Sequence, residues 1–298
     1  MELNIEAPAK INLGLDVLRR REDGYHQVRM IMQSIDLCDC IQLVRTKDTQ
    51  IKVETNLTYL PTNKKNLAYK AAKLLKDEFH IRDGIFIRLE KKIPVAAGMA
   101  GGSADAAAVL HGINKMFQLG LTLDELMERG VKLGADVPYC LMGGTALSEG
   151  IGELLTPLHS PISCSVLIAK PRVSVSTKFV YEHLCLNEQI KHPNIDQILT
   201  DIACADVVQM AGHMGNILES VTIPNYPVIA QIKEAMLELG ALNAMMSGSG
   251  PTVFGLFKEE ETATDAYEAM KNMNLAEQVY LTELLGREMR QKWLQNWN

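Results

Sequence analysis

The stretch Pro94-Val95-Ala96-Ala97-Gly98-Met99-Ala100-Gly101-Gly102-Ser103-Ala104-Asp105 carries the plainest chemical signal in the chain. It is entered from a strand-like run, Ile85 to Leu89, and it leads into a helix-like run, Ala104 to Phe117. Small residues there let backbone N–H groups converge on an anion, and the start of the helix adds about half a positive charge. The chemistry on offer is the holding of a polyphosphate with few side chains. No Gly-Lys-Ser/Thr follows, so this is not a Walker loop, and no Gly-x-Gly-x-x-Gly fingerprint occurs in the chain. A flexible Gly/Ala linker is the competing reading of the same residues.

Other chemistry-bearing residues stand apart. Asp136, in Gly134-Ala135-Asp136-Val137-Pro138, follows a helix that ends near Gly134. It reads either as a helix-end aspartate tied to nearby N–H groups or as a carboxylate free to take a proton. Lys10 closes a strand segment, and Asn12, two residues on, shares its strand face. Tyr25 and His26 follow a glycine turn and read either as ordinary loop residues or as an aromatic pair able to stack on a ring and hydrogen-bond its edge. Ser103 supplies a hydroxyl within the glycine-rich stretch; the sequence names no firm metal ligand.

These residues need elements to hold them. Leu3, Ile5, Ile11, Leu13, Leu15 and Val17 predict two strand segments with Pro8 between them. Leu67, Ala71, Leu74, Leu75 and Phe79 fall on one helical face, and Asn66 would cap that helix. Thr122-Leu123-Asp124-Glu125 is a capping box, and Pro138 should bias Val137 away from helical angles. Further on, Val166 to Ala169 is strand-like, 176–220 is mostly helical, and a helix opened by Pro227 is closed by Gly240. Two strands joined by Gly248-Ser249-Gly250, a helix over 259–273 and a last strand over 278–283 complete an α+β second half. The change of composition near Pro157 and Pro161 places a boundary between domains 1–157 and 158–298.

The bulk numbers set limits. With 298 residues, 47% hydrophobic and 22% charged, the chain is an ordinary globular protein. A net charge of −6 argues against a nucleic-acid or anionic-membrane surface. No stretch of about 18 uncharged apolar residues occurs. Cys38, Cys40, Cys140, Cys164, Cys185 and Cys204 lack Cys-x-x-Cys spacing and read as reduced thiols, which predicts a cytoplasmic protein. A monomer and a homodimer both remain open.

Three separated segments agree with one another: Pro8-Ala9-Lys10-Ile11-Asn12-Leu13 with Asp23-Gly24-Tyr25-His26, the loop at 94–107, and Ser247-Gly248-Ser249-Gly250-Pro251-Thr252-Val253-Phe254. In this order they resemble the GHMP family of small-molecule kinases. The resemblance implies a two-domain α+β fold, with an N-terminal ribosomal protein S5 domain 2-like domain and a C-terminal ferredoxin-like one. It implies an enzyme that uses ATP and Mg2+ to phosphorylate a small alcohol, here one carrying a cytidylyl group. Asp136 would be the general base and Lys10 its cationic partner. Residues 94–104 would cradle the phosphates, with Asn66 near adenine. Tyr25 and Tyr181 would sandwich the cytosine, His26 would read its edge, and Asn12, Thr177, Gly248 and Ser249 would face the substrate. Ala100 and Ala104 depart from the family, whose loops often carry Gly and Ser there. Another GHMP kinase, or a nucleotide sensor on the same fold, is the alternative.

Overall fold

The structure, a computed structural model, describes residues 1–160, 162–187 and 189–286. Two long strands, β1 (Glu2–Arg20) and β2 (His26–Thr46), run antiparallel and form its spine. The turn between them uses Gly24 at φ 86°. Then come β3 (Ile51–Thr55), α1 (Leu67–Glu78), β4 (Gly84–Glu90), α2 (Gly101–Met116), α3 (Leu123–Val131), α4 (Val137–Met142), β5 (Thr145–Glu149) and β6 (Leu154–Leu158). The second half holds β7 (Ser165–Lys170), α5 (Thr177–His183), α6 (Ile195–Ala203), α7 (Val207–His213), β8 (Gly215–Asn216), α8 (Glu219–Asn225), α9 (Val228–Glu238), β9 (Asn243–Met246), β10 (Val253–Phe257), α10 (Glu260–Asn272) and β11 (Gln278–Glu283).

The first sheet runs β3-β4-β2-β1-β8, with β5 on β2 and β6 on β5. The second runs β11-β7-β10-β9, antiparallel throughout. Strands β7, β9, β10 and β11 with helices α9 and α10 make a β-α-β-β-α-β unit in which the last strand lies beside the first, the ferredoxin-like arrangement. Apolar faces of α1 and α2 (Ala71, Leu75, Val109, Ile113) pack with Ile5, Leu43 and Ile87 of the first sheet in one core. A second core joins the halves: Ile11, Leu13 and Ile31 from the first sheet with Ile168 and Phe254 from the second, and Ile195 and Ile198 of α6.

The structure departs from the sequence-based expectations in four places. Residues 2–20 are one strand rather than two segments, because Pro8 sits beside a register slip where a missing N–H is tolerated. Helix α2 starts at Gly101, three residues before the expected Ala104. Val137 is helical: it opens α4, and Pro138 lies in the first turn, where no intrahelical N–H is needed. Finally, β8 inserts a two-residue strand of the second half into the first sheet, parallel to Gly14 and Leu15.

Candidate active site

A cleft of about 1020 Å³ lies between the halves, and most of the sequence-predicted site residues line it. Its floor is the loop from β4 to α2. The loop bends through three positive φ angles, at Ala96 (52°), Gly98 (73°) and Ala100 (57°). Ala100 is the N-cap of α2, makes no side-chain cap, and is held in the left-handed region at a cost of about 1–2 kcal/mol for an L-residue. The N–H groups at the start of α2 thus have no side-chain cap and open on the cleft, the arrangement that suits phosphate. Pro94, Val95, Ala96, Ala97, Gly98, Ala100, Gly101, Gly102 and Ser103 all line it. Met99 and Ala104 do not: both are buried in the cores.

Lys10 is aimed by an irregularity in the pairing of its strand with β2. Pro8 opposes Cys38 but Lys10 opposes Ser34, so β2 carries extra residues at this point. The Lys10 N–H donates to Met99 O of the loop at 3.2 Å. Lys10 is only 5% exposed; its ammonium donates to Asn12 Oδ1 at 2.8 Å and makes no ion pair with Asp136. Asp136 occupies the N-cap of α4, with helical angles (φ −81°, ψ −13°) and no side-chain cap bond. An aspartate at that position ordinarily accepts from the N2 or N3 N–H; this one stays uncommitted and lines the cleft. Ser103 stands beside the same turn, its Oγ 3.9 Å from where a Cβ on Gly134 would lie.

The far end of the cleft is aromatic. Tyr25 is 61% exposed, while Tyr181 on α5 packs against the His26 ring with centroids 5.1 Å apart. Burial, then the positive charge of Arg20, holds the His26 imidazole below its ordinary value, which favours the neutral ring. Burial first, and the Asp136 carboxylate second, push the Tyr181 phenol up. Thr177 at the start of α5 and Ser249 share a hydrogen bond of 2.8 Å between their hydroxyls. Asn66 caps α1 by accepting from Ala68 N at 2.9 Å, and it also lines the cleft.

The loop at 247–250 rests on the loop between β4 and α2. Ser247 Oγ donates to Gly98 O at 3.0 Å, and a Cβ on Gly98 would lie 2.1 Å from Ser247 O. Gly248 adopts φ 57° against the Gly98 backbone. Asn216 of β8 holds this loop from behind, donating to Met246 O and Gly248 O at 2.8 Å each.

Sequence reasoning missed a buried charge cluster in the cleft wall: Asp39, Lys91 and Asp105 are 0%, 8% and 4% exposed. The Lys91 ammonium bonds to the carboxylates of both Asp39 and Asp105. Burial would lower the Lys91 ammonium, but the charges of Asp105 and Asp39 outweigh it and hold it above its ordinary value. Burial pushes the Asp105 carboxyl up to about 7, Lys91 opposing and Asp39 adding to the rise. The available signal was weak: a lysine just before the loop and an aspartate inside an alanine run.

Residues 66–144 match the N-terminal domain of GHMP kinases, and residues 203–274 match their C-terminal domain. This chain belongs to the GHMP kinase family. The 4-diphosphocytidyl-2-C-methyl-D-erythritol kinase of Lachnoclostridium phytofermentans is 56% identical over 94% of this chain and 96% of its own. The enzyme of that name from Geobacillus kaustophilus is 49% identical, over 96% of this chain and 98% of its own. The crystal structure of a 4-(cytidine 5'-diphospho)-2C-methyl-D-erythritol kinase superposes with a TM-score of 0.82 at 31% identity, covering 95% of this chain and 99% of that one. The homoserine kinase of Cytophaga hutchinsonii shares the fold, with a TM-score of 0.75 at 23% identity over 95% of this chain and 93% of its own. Among the described residues, no helix is long and apolar enough to cross a membrane.

Proposed function

We infer that the chain transfers the γ-phosphoryl group of ATP to the 2-hydroxyl of 4-diphosphocytidyl-2-C-methyl-D-erythritol, giving the 2-phosphate and ADP in non-mevalonate isoprenoid precursor biosynthesis. Near-full-length likeness to kinases of that name supports the reading. The geometric observation that carries it is the uncommitted Asp136 carboxylate, which shares one cleft with Lys10 and the glycine-lined loop.

In this reading the 2-hydroxyl gives its proton to Asp136 as its oxygen attacks the γ-phosphorus. The bond from that phosphorus to the β,γ-bridging oxygen breaks, and ADP leaves with the electron pair. Lys10, steadied by Asn12, draws the γ-phosphoryl oxygens in. The helix start at Gly101 and Gly102 receives the phosphates. Tyr25 and Tyr181 take the cytosine faces, and neutral His26 reads the edge. Thr177, Gly248 and Ser249 face the substrate diphosphate.

Mg2+ fits the residues present. Among the described residues no group of three His, Cys, Asp or Glu could cage a metal, but Mg2+ on a nucleotide keeps several waters and needs few protein oxygens. The Ser103 hydroxyl, beside the Asp136 turn, is the donor we assign to it. When bound, the ion neutralises phosphate charge. We also assign ATP binding to residues 1–157, the substrate side to 158–298, and a cytoplasmic setting, which the lack of Cys-x-x-Cys spacing among its cysteines supports. A coupled ADP-release assay across acceptor alcohols, with and without the cytidylyl group, tests the function. Equal turnover of homoserine or mevalonate would reject it.

A further inference from the structure

The Asp39–Lys91–Asp105 cluster has no part in the transfer chemistry, yet it is costly. Three ionisable side chains are taken from water, and buried ion pairs of this kind are often replaced by apolar residues without loss of stability. Stability therefore does not account for it. Its position does. Asp39 sits on β2, and its Oδ1 accepts the backbone N–H groups of Lys92 and Ile93 at 2.6 and 2.9 Å, where the chain enters the phosphate loop. Asn56 pins the same point, accepting from Lys91 N at 2.9 Å and donating to Lys91 O at 3.1 Å. The Lys91 ammonium then spans from Asp39 to Asp105 Oδ2, the latter at 2.6 Å. Asp105 lies in α2 just past the loop's exit. One ammonium thus ties entrance to exit, and the loop between them has its shape set before any ligand arrives. The second oxygen, Asp105 Oδ1, is buried without a hydrogen-bond partner, and the groups that act on this carboxyl are Lys91 and Asp39, the other two members of the cluster.

We propose that Asp39, Lys91 and Asp105 form a clasp across the base of the phosphate loop, and that Asp105 is a positioning residue for ATP. The proposal rests on the reading that ATP occupies that loop. An unclasped loop must be ordered by the nucleotide itself, so the cost falls chiefly on ATP affinity and much less on the cytidylyl end of the cleft.

The test is Asp105→Ala against Asp105→Asn, read by calorimetric binding of ATP and of the cytidylyl substrate, steady-state kinetics and thermal melting. Asp105→Ala leaves Asp39 and Lys91 as a balanced pair, and Asp105→Val repeats the cut with the volume filled. Expected are a tenfold or greater loss of ATP affinity in the Ala and Val variants and a matching rise in KM for ATP. The substrate affinity and the kcat at saturating ATP should stay within about threefold. Asp105→Asn, which still accepts from Lys91, should hold ATP affinity within threefold. Unchanged ATP binding in Asp105→Ala or Asp105→Val overturns the proposal, as does an equal loss for both ligands, the mark of a merely structural role. Failure of the wild-type chain to bind ATP would instead reject the functional reading.

Discussion

Replacing Asp136 separates a proton acceptor from a helix cap. Asp136→Asn keeps the shape and removes the charge. If the carboxylate takes the hydroxyl proton, kcat should fall by about 100- to 10,000-fold, a barrier increase of about 3–5 kcal/mol. KM for ATP and substrate should move little, since the lost interaction belongs to the transition state. Asparagine caps helices as well as aspartate, so this variant alone leaves the capping role unexamined. Asp136→Ala examines it. A working cap is worth about 1 kcal/mol and up to about 2, but this side chain accepts no cap bond and its backbone angles are helical, not extended. What remains is the favourable placing of a negative charge near the first turn of α4, about 0.3–1 kcal/mol. Asp136→Ala should therefore lose turnover as heavily as Asp136→Asn and stability by less than about 1 kcal/mol. Single-turnover kinetics with quenched-flow sampling, paired with urea unfolding, reads both. Turnover of Asp136→Asn within tenfold of wild type would remove the residue from proton transfer. A stability loss near 2 kcal/mol in Asp136→Ala would return it to the role of a cap.

Gly98→Ala places a Cβ 2.1 Å from the Ser247 carbonyl oxygen at φ 73°. Left-handed strain of about 1–2 kcal/mol and overpacking of about 1–3 kcal/mol should weaken both ATP and substrate, because two loops are pushed apart; calorimetry showing normal affinity for either would contradict the contact. Ala100→Gly relieves left-handed strain at φ 57°, and after glycine's extra chain entropy of about 0.5–1 kcal/mol it should raise stability by up to about 1 kcal/mol in urea melts; a loss would mean that Ala100 is not strained. For His26, burial and Arg20 favour the neutral ring, so its charge appears only below the ordinary imidazole value near 6.5. As pH falls past that point kcat/KM for the cytidylyl substrate should drop while KM for ATP holds, and His26→Gln should flatten this acid limb; an unaltered limb in the variant would assign it to another group.

Local chemistry was legible in the sequence and long-range closure was not. The Thr122–Glu125 capping box forms as its spacing predicts, Asn66 caps α1, and the Gly-rich stretch becomes a loop that opens on a helix start. Each of these is decided within a few residues. The clasp was invisible because Lys91 meets Asp39 from 52 positions away, and only the sheet brings them together. Strand β8 is two residues long and has no period to detect, yet Asn216 within it fixes the loop that rests on Gly98. The instructive case is Lys10. An alternation reading treats the strand as regular and makes this lysine one more strand-end cation. The register slip between Pro8 and Lys10 turns its N–H to the loop between β4 and α2 and leaves its ammonium in the cleft beside Asn12. Bulges bend strands and re-aim side chains, so the residue's chemistry follows from an irregularity that a period-two pattern smooths away. Proline at position 8, first a sign of a broken strand, is better read as the mark of that slip.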